Sequence, residues 1–336
     1  MAIIGKVYPA KMRVPVVDPF IIVGHHKDNY PKGKEDMSPS ETPTNWIVGQ
    51  DFDSGRGYNM YHGSHLPGFP SHPHRGFETI TYARTGFIDH FDSLGNFGRY
   101  GDGDVQWMTS GRGMQHAEMF PLLDMKNDNP FEIVQIWLNL PAKYKMVEPI
   151  YKMIWKESIP IISLDENSQK NTVKVIMGKY QQAEAHPINN NSWAIDPNNY
   201  VNIWEVNIEK GKKFTMPYFP DNIKTQLYVM KGEILAEGNK IGEQQLLIYT
   251  SDSDTTIEAT LDSTFMVFVG REIGEPVVAY GPFVMNTQEE ISQAYRDFRI
   301  TQFGGWPWDD NAPTIDRLRG RFSRYDNGTK EELPPK

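Results

Sequence analysis

Short runs of β-branched and aromatic residues, separated by turn signals, constrain the fold of this chain more than any other feature. The runs are PFIIVGH, NWIVGQDF, FETITYA, GDVQWMTS, FEIVQIWLNL, NTVKVIMG, YVNIWEVNI, TQLYVMKGEILAEG, QQLLIYT and STFMVFVG. Glycine-containing turns such as DSLGN (92–96) and GDGD (101–104) lie between them. Short strands at regular spacing predict an all-β sandwich or barrel architecture rather than alternating strands and helices.

The strand pattern pauses between residues 141 and 171, where prolines recur and alternating apolar runs are few. A chain of 336 residues is long for one domain and suits two. We therefore predict two consecutive β-rich domains, residues 1–140 and residues 172–285, connected by a linker at 141–171. Residues 286–336 are predicted to form a C-terminal helix and tail.

One helix is predicted near the C-terminus, in the segment NTQEEISQAYRDFRI. Asn286 followed by Glu289 has the spacing of a capping box, which marks a helix start. One apolar face follows with helical spacing, formed by Ile291, Ala294, Tyr295 and Phe298. The glycines of FGG at 303–305 are expected to end the helix.

Composition excludes several classes of function. The chain has no cysteine, which excludes disulfides, thiolate metal sites and cysteine nucleophiles. Its net charge of −9 opposes direct contact with nucleic acid or with an anionic membrane. The tail carries four arginines that we expect to be solvated or salt-bridged rather than to bind an anion: Arg317, Arg319, Arg321 and Arg324.

Nothing in the sequence predicts export or membrane insertion. The first residues, MAIIGKVYPAKM, lack the basic stretch and apolar core of a secretory signal. No apolar run approaches the roughly 20 residues that a membrane span requires. We therefore expect a cytoplasmic protein.

Two short clusters of metal-ligating residues stand out. His72 and His74 lie one residue apart before a predicted strand, and His116 and Glu118 have the same spacing in a second strand segment. Side chains two positions apart in a strand point to the same face, so each pair can converge on one point. Three imidazoles and a carboxylate suit a first-row divalent ion, and four protein ligands leave an open position on an octahedral metal.

The residues around these clusters allow more than one interpretation. Glu78 has the same parity as the two early histidines, so it is a metal ligand, a partner of a ligating imidazole or a paired strand residue. Arg75 is expected to anchor a carboxylate rather than to contact a metal. His90 is expected to be a strand residue near a turn, with a place in the pocket as the alternative. The remaining early histidines are interpreted as loop residues: His25, His26, His62 and His65.

Three segments then resemble one known family. GFPSHPHRGFETITYARTG resembles the first motif of the cupin superfamily, and DVQWMTSGRGMQHAE is similar to the second cupin motif in its pirin form. GREIGEPVVAYGPFVMNTQEEISQAYRDF at 270–298 resembles the C-terminal signature of pirins. The chain is thus identified from its sequence as a member of the pirin family of bacterial type.

This resemblance implies an all-β protein of two consecutive cupin barrels, each a double-stranded β-helix of jelly-roll type, with a short C-terminal helix. It implies one divalent transition metal in the N-terminal barrel, held by His72, His74, His116 and Glu118. Fe(II) is the leading choice, and Mn, Co, Ni and Cu fit the same ligands. No histidine follows His186, so the second barrel is expected to lack an imidazole metal site.

The resemblance also implies two alternative functions. The first is a dioxygenase that opens the central ring of a flavonol such as quercetin with O₂, with Glu118 as the catalytic base. Aromatic residues expected near the substrate are Phe69, Phe77, Tyr82 and Trp107. The second is a metal-responsive co-regulator that acts by contact with a protein partner and has no turnover. A cupin that keeps its metal only for stability is a further alternative.

Overall fold

The structure, a computed structural model, describes residues 5–165, 168–221 and 223–336. Antiparallel strands are its main regular structure. The strands of the first half are β1 (Lys6–Pro9), β2 (Arg13–Val14), β3 (Phe20–Tyr30), β4 (Gly68–His74), β5 (Phe77–Thr85), β6 (Phe87–Asp92), β7 (Phe97–Gly101), β8 (Val105–Thr109), β9 (Met114–Met119), β10 (Asn129–Asn139) and β11 (Ile150–Ile154).

The second half contains further strands and the α-helix of the described chain. The strands are β12 (Ile161–Asp165), β13 (Ser168–Tyr180), β14 (Ala183–Ala185), β15 (Asn202–Ile208), β16 (Lys213–Met216), β17 (Lys224–Lys231), β18 (Glu233–Ala236), β19 (Asn239–Gly242), β20 (Gln245–Tyr249), β21 (Thr255–Ala259), β22 (Ser263–Gly270), β23 (Val278–Tyr280), β24 (Phe283–Met285), β25 (Phe322–Tyr325) and β26 (Lys330–Glu332). The helix is α1 (Gln288–Thr301). Short 3-10 turns lie at Ala142–Tyr144, Lys156–Ser158, Trp193–Ile195, Pro197–Asn199 and Gln302–Gly304.

Two compact units divide the chain, and each collects segments that are distant in sequence. One comprises residues 1–24, 136–141 and 158–274, and the other comprises 25–135, 142–157 and 275–336. The consecutive boundaries placed from the sequence at 140, 171 and 285 remain a prediction. The all-β class with one C-terminal α-helix is confirmed within the described residues.

The first unit contains two sheets. The larger has the order β1-β20-β17-β22-β15-β13-β12 with β14 beside β13, and the smaller has the order β16-β21-β18-β19. Their core is apolar, and it includes the fully buried side chains of Trp204, Phe214, Leu227 and Phe265. Each such side chain contributes roughly 1.5–3 kcal/mol by leaving water, so this core stabilises the unit without any metal ligand.

The second unit carries both histidine clusters. One sheet has the order β26-β25-β7-β6-β9-β4, and the neighbouring strands β11, β8 and β5 of a second sheet also lie in this unit. Strands β23 and β24 form a separate hairpin. Because β4 and β9 are neighbours at one edge of their sheet, the two sequence clusters come together there.

One predicted strand is wrong. NWIVGQDF, residues 45–52, forms a loop in which Ile47 and Val48 are 65% and 52% exposed. Gly49 has a φ of +79°, and the backbone N–H of Gln50 donates to the carbonyl of Ile47. A turn of this kind interrupts an extended run, which the apolar pattern alone does not reveal.

The helix is confirmed, but its predicted capping box is wrong by one residue. Thr287 is the N-cap: its side chain accepts from the backbone N–H of Glu290, and the Glu290 side chain accepts from the N–H of Thr287. The Asn286 side chain instead donates to Glu275 and to the Pro276 carbonyl. No helix in the described part of the chain has the length and apolar character needed to cross a membrane.

Candidate metal centre

Strand pairing brings the two histidine clusters together. In the antiparallel pair of β4 and β9, His72 lies opposite His116 and His74 lies opposite Met114. The ring centroids of His72 and His116 are 4.4 Å apart, and that of His74 lies 4.8 Å from His72 and 5.0 Å from His116. Each histidine offers one ring nitrogen to a group whose members all lie within 4.8 Å of one another. The three histidines thus form a group able to hold a metal ion.

Backbone carbonyls orient two of the rings. Nδ1 of His72 lies 2.9 Å from the carbonyl oxygen of Pro70, and Nδ1 of His74 lies 3.2 Å from that of Pro282. A carbonyl oxygen only accepts hydrogen bonds, so a neutral ring that makes this bond carries its hydrogen on Nδ1. The lone pair is then on Nε2, the atom left for a metal.

The surroundings favour neutral imidazoles with available lone pairs. Burial lowers the pKa of His72 to about 4, and it lowers the pKa values of His74 and His116 well below the ordinary histidine value. Both ring nitrogens of His116 are buried without a hydrogen-bond partner. A buried polar atom without a partner is costly, and a coordinated metal would satisfy it. The residues present therefore fit a divalent transition metal.

Glu118 lies beside the three rings. Its Oε2 is 3.9 Å from Nε2 of His116 and accepts a hydrogen bond from Gln135 Nε2 at 3.0 Å. Its Oε1 accepts from the hydroxyls of Thr81 at 3.2 Å and Tyr100 at 3.5 Å. Burial raises the pKa of the Glu118 carboxyl, against smaller lowering effects from a neighbouring histidine and from these donors. A carboxylate in this setting takes up a proton more readily than a solvated one.

Glu78 is not one of the three residues of the histidine group. Parity predicted a shared face for Glu78 and the two early histidines, but β4 ends at His74 and β5 begins at Phe77. Oε1 of Glu78 accepts from the indole N–H of Trp107 at 3.0 Å and from the hydroxyl of Thr109 at 2.7 Å. A turn intervenes between the two strands, so alternation along one strand does not decide whether Glu78 faces the histidines.

His90 lies next to the histidine group. It is fully buried on β6, with its ring centroid 5.6 Å from that of His116 and stacked on Tyr151 at 4.3 Å. Its Nε2 is 3.3 Å from Asp92 Oδ2, and its Nδ1 is 3.4 Å from Gln106 Nε2. His90 is therefore a buried neighbour of the histidine group.

The other early histidines are not part of the histidine group. His25 pairs with Glu132 at 2.9 Å, and the exposed His65 pairs with Asp36 at 2.9 Å. His26 is buried, so the loop interpretation was wrong for this residue and for its neighbour: both lie in strand β3. The ring of His62 lies 5.4 Å from that of Phe69.

The expected roles of the arginines are confirmed. Arg75 forms an ion pair with Asp297 at 2.7 Å. The tail arginines are salt-bridged: Arg317 with Glu35, Arg319 and Arg324 with Glu331, and Arg321 with Asp104 and Glu157.

Aromatic rings adjoin the histidine group on one side. Phe69 lies 6.2 Å from His72 and Phe77 lies 5.1 Å from His74, ring centroid to ring centroid. Phe77, Tyr82 and Trp107 are buried, whereas Phe69 is partly exposed. Tyr61 stacks on Phe69 at 5.3 Å, a contact that sequence reasoning missed.

Sequence reasoning also missed the side chains that orient Glu118. Thr81, Tyr100 and Gln135 lie on three different strands, β5, β7 and β10. Alternation places Thr81 on one face of its strand, but it does not show which distant residue that face meets. Such contacts become visible only when the pairing of the strands is known.

Comparison with known sequences defines the class of protein. The family model described as Pirin matches residues 6–138, and the model described as the Pirin C-terminal cupin domain matches residues 203–304. The chain therefore belongs to the pirin family, and the expected architecture of two cupin domains is confirmed.

Individual relatives agree with this assignment. A pirin-like protein of Caulobacter vibrioides is 36% identical over 239 residues, which cover 71% of this chain and 82% of that protein. A Pseudomonas aeruginosa protein provisionally named a quercetin 2,3-dioxygenase is 35% identical over 239 residues, which cover 70% of this chain and 80% of that protein. The crystal structure of a quercetin 2,3-dioxygenase from Acinetobacter baumannii superposes with a TM-score of 0.72 at 28% identity, covering 89% of this chain and 97% of that one.

Proposed function

We propose that this protein is a metal-dependent dioxygenase of the pirin type, which opens the central ring of a flavonol such as quercetin. The observation that carries the proposal is the group of His72, His74 and His116, two of them buried, with Glu118 beside it. The names of the Pseudomonas and Acinetobacter relatives support the substrate class. In the balanced reaction both atoms of O₂ enter the ring-opened ester, and one ring carbon leaves with its oxygen as carbon monoxide.

We assign His72, His74, His116 and Glu118 as the ligands of a single divalent transition metal, with Fe(II) as the leading choice. Imidazole nitrogens and one carboxylate suit Fe, Mn, Co, Ni and Cu alike, so the donor set does not select among them. A metal held by these residues would lower the pKa of the flavonol hydroxyl and make the flavonolate available to O₂.

Glu118 is assigned the proton transfer. Oε2 of its carboxylate, the oxygen nearer to His116, accepts the proton of the flavonol 3-hydroxyl. Thr81 and Tyr100 hold the other oxygen, and Gln135 holds Oε2 from the side, so the carboxylate keeps one orientation. Because the Glu118 carboxylate is buried, it is shielded from water. Its raised pKa lies closer to the pH at which a general base works best.

Phe69 is assigned to the substrate. Its ring lies beside His72 and is partly exposed, so a planar flavonol bound at the histidine group would contact aromatic surface. The experiment that tests the proposed function is release of carbon monoxide from quercetin under O₂ by metal-loaded protein, compared with the His116→Ala variant. Failure of the loaded wild type to exceed that variant would favour the metal-responsive binding protein.

A further inference from the structure

His74 is held by a part of the chain more than 200 positions away. Its Nδ1 lies 3.2 Å from the carbonyl oxygen of Pro282, in the turn of the hairpin formed by β23 and β24. The same hairpin contacts the next residue, because the backbone N–H of Val284 donates to the carbonyl of Arg75 at 3.0 Å. The position of the hairpin thus determines where the acceptor for His74 lies.

A buried lysine connects the hairpin to the turn that follows His74. Lys145 is 1% exposed, and its Nζ donates to the carbonyls of Gly76 at 2.8 Å and Val284 at 3.1 Å. Gly76 has a φ of +87°, and a Cβ there would lie 2.1 Å from the Val284 carbonyl oxygen. The turn and the hairpin therefore approach backbone to backbone, which leaves little freedom for one to move against the other.

Arg75 connects the same turn to helix α1. Its Nη1 pairs with Asp297 at 2.7 Å and its Nε donates to the carbonyl of Arg112 at 2.6 Å. Its guanidinium carbon lies 4.5 Å from the ring centroid of Phe303, just beyond the helix. The Arg75 side chain is only 6% exposed, although its partner Asp297 is 31% exposed. The planar guanidinium makes them in fixed directions, which a lysine cannot reproduce.

We propose that the hairpin and helix α1 select the ring tautomer of His74, with Arg75 as a positioning residue. The carbonyl of Pro282 keeps the hydrogen of the neutral ring on Nδ1 and leaves the lone pair on Nε2. Phe283 and Met285 of the hairpin pack against Ile291 and Ala294 of helix α1, so the helix supports the hairpin. If Arg75 loses its hold on the helix, this support is altered, the Pro282 carbonyl moves away from Nδ1 of His74, and the ring gains access to the other tautomer. In that tautomer Nε2 carries the hydrogen and has no lone pair for a metal. The inference rests on the proposed function in taking His74 as a metal ligand.

The test uses the full-length protein and two readouts. Long-range ¹H–¹⁵N spectra of chelator-treated protein report the tautomer of each histidine ring, with His74→Ala identifying the signal. Titration with Co(II) then reports affinity. In wild type we expect His74 to carry its hydrogen on Nδ1. In Arg75→Lys we expect a second tautomer and a Co(II) affinity lower by about tenfold, the lower end of what loss of a partner that orients a ligand costs. Asp297→Asn is expected to change both readouts in the same direction.

Glu289→Gln is the matched control, because it makes the same carboxylate-to-amide change on the same helix at an exposed position. We expect it to match wild type in both readouts. Wild-type tautomer and affinity in both Arg75→Lys and Asp297→Asn would overturn the inference while leaving the metal site intact. Absence of Co(II) binding by wild type would instead overturn the proposed function, and the tautomer spectra would still decide whether Arg75 positions His74.

Discussion

His72 and His116 lie directly opposite each other only because strand β4 contains one extra residue. Phe69 is paired with Glu118, but His72 is paired with His116, so three steps along β4 correspond to two steps along β9. Without this bulge Ser71 would lie opposite His116, and the His72 side chain would point to the other face of the sheet. The bulge therefore creates the histidine group from two motifs that are distant in sequence.

The first prediction concerns metal content. His72→Ala, His74→Ala and His116→Ala should each lose most bound metal, since each removes one nitrogen from the group. Wild type should hold one divalent ion per chain after dialysis, as measured by elemental analysis. His186→Ala is the control, because its side chain is exposed and lies outside the group. Two tightly bound metals per chain, or full occupancy in His74→Ala, would contradict this prediction.

The second prediction concerns the acid stability of the metal-free protein. An unfolded histidine has a pKa near 6.5, whereas desolvation lowers the pKa of His72 to about 4 in the folded protein. Between these values the unfolded state binds more protons, so the free energy of unfolding falls as the pH falls. The slope is about 1.4 kcal/mol per pH unit for each such histidine, and stability is fully present above pH 6.5.

Urea denaturation of chelator-treated protein between pH 7 and pH 4.5 measures this slope. His72→Gln removes one titrating ring and should reduce the slope, and His186→Ala should leave it unchanged. Equal slopes in all three proteins would show that burial does not depress the pKa of His72.

The strand pattern was sufficient to predict the β class and both histidine clusters. Alternating apolar residues report which segments are extended, and the i, i+2 spacing reports a shared face. The loop at 45–52 was wrongly predicted as a strand because its apolar residues follow a strand-like pattern, although Ile47 and Val48 face solvent. The helix cap was misplaced by one residue because Asn286 and Thr287 are both good N-caps, and only the backbone selects between them.

Long-range contacts account for what could not be predicted. The carbonyl of Pro282 reaches His74 across more than 200 positions, and no local pattern signals that contact. Likewise, Tyr100 and Gln135 meet Glu118 only after several strands have paired. The register of strand pairing determines which residues make these contacts, and a single bulge changes that register for every residue beyond it.

The third prediction separates Glu78 from the metal ligands. Glu78→Gln should retain the metal content of wild type, because the Glu78 carboxylate is bound by Trp107 and Thr109. The amide oxygen of glutamine can still accept from both donors, so the fold should persist. Elemental analysis beside His74→Ala provides the comparison. A loss of metal as large as that in His74→Ala would make Glu78 part of the coordination after all.

The fourth prediction concerns the C-terminal tail. Arg99 is fully buried, pairs with Asp89 at 2.6 Å, and donates to the carbonyls of Ile315, Asp316 and Arg319. Arg99→Met leaves the Asp89 charge without its partner, which costs roughly 3–5 kcal/mol for a buried ion pair. We expect a lower denaturation midpoint and faster protease cleavage between residues 306 and 320.

Arg296→Met is the control for this change, since Arg296 is exposed on helix α1 and donates only to Gln293 among its observed hydrogen bonds. Equal stability and equal cleavage of the two variants would show that Arg99 does not hold the tail.

The last prediction concerns turnover. Glu118→Gln keeps the shape of the side chain but removes its negative charge and its ability to accept a proton. If Glu118 is the base, the rate of quercetin consumption should fall on the order of 10²-fold or more, even where part of the metal remains. Carbon monoxide release and oxygen uptake should fall by the same factor as quercetin consumption, because the balanced reaction converts the three in fixed proportion. Rates are therefore compared per bound metal, which separates loss of the base from loss of a ligand.

Two controls are needed because free metal ions and alkaline pH oxidise flavonols without an enzyme. One is the Glu118→Gln protein, and the other is the same metal concentration without protein. Wild type is tested with Fe, Mn, Co, Ni and Cu in turn, since the donor set accepts all five. If the rate of none of the loaded forms exceeds both controls, the proposed dioxygenase function is wrong. A metal-responsive binding protein then becomes the better explanation of the same histidine group. A partner captured by the metal-loaded form and not by the metal-free form would then support that alternative, because metal binding would be needed to fix the surface that the partner recognises.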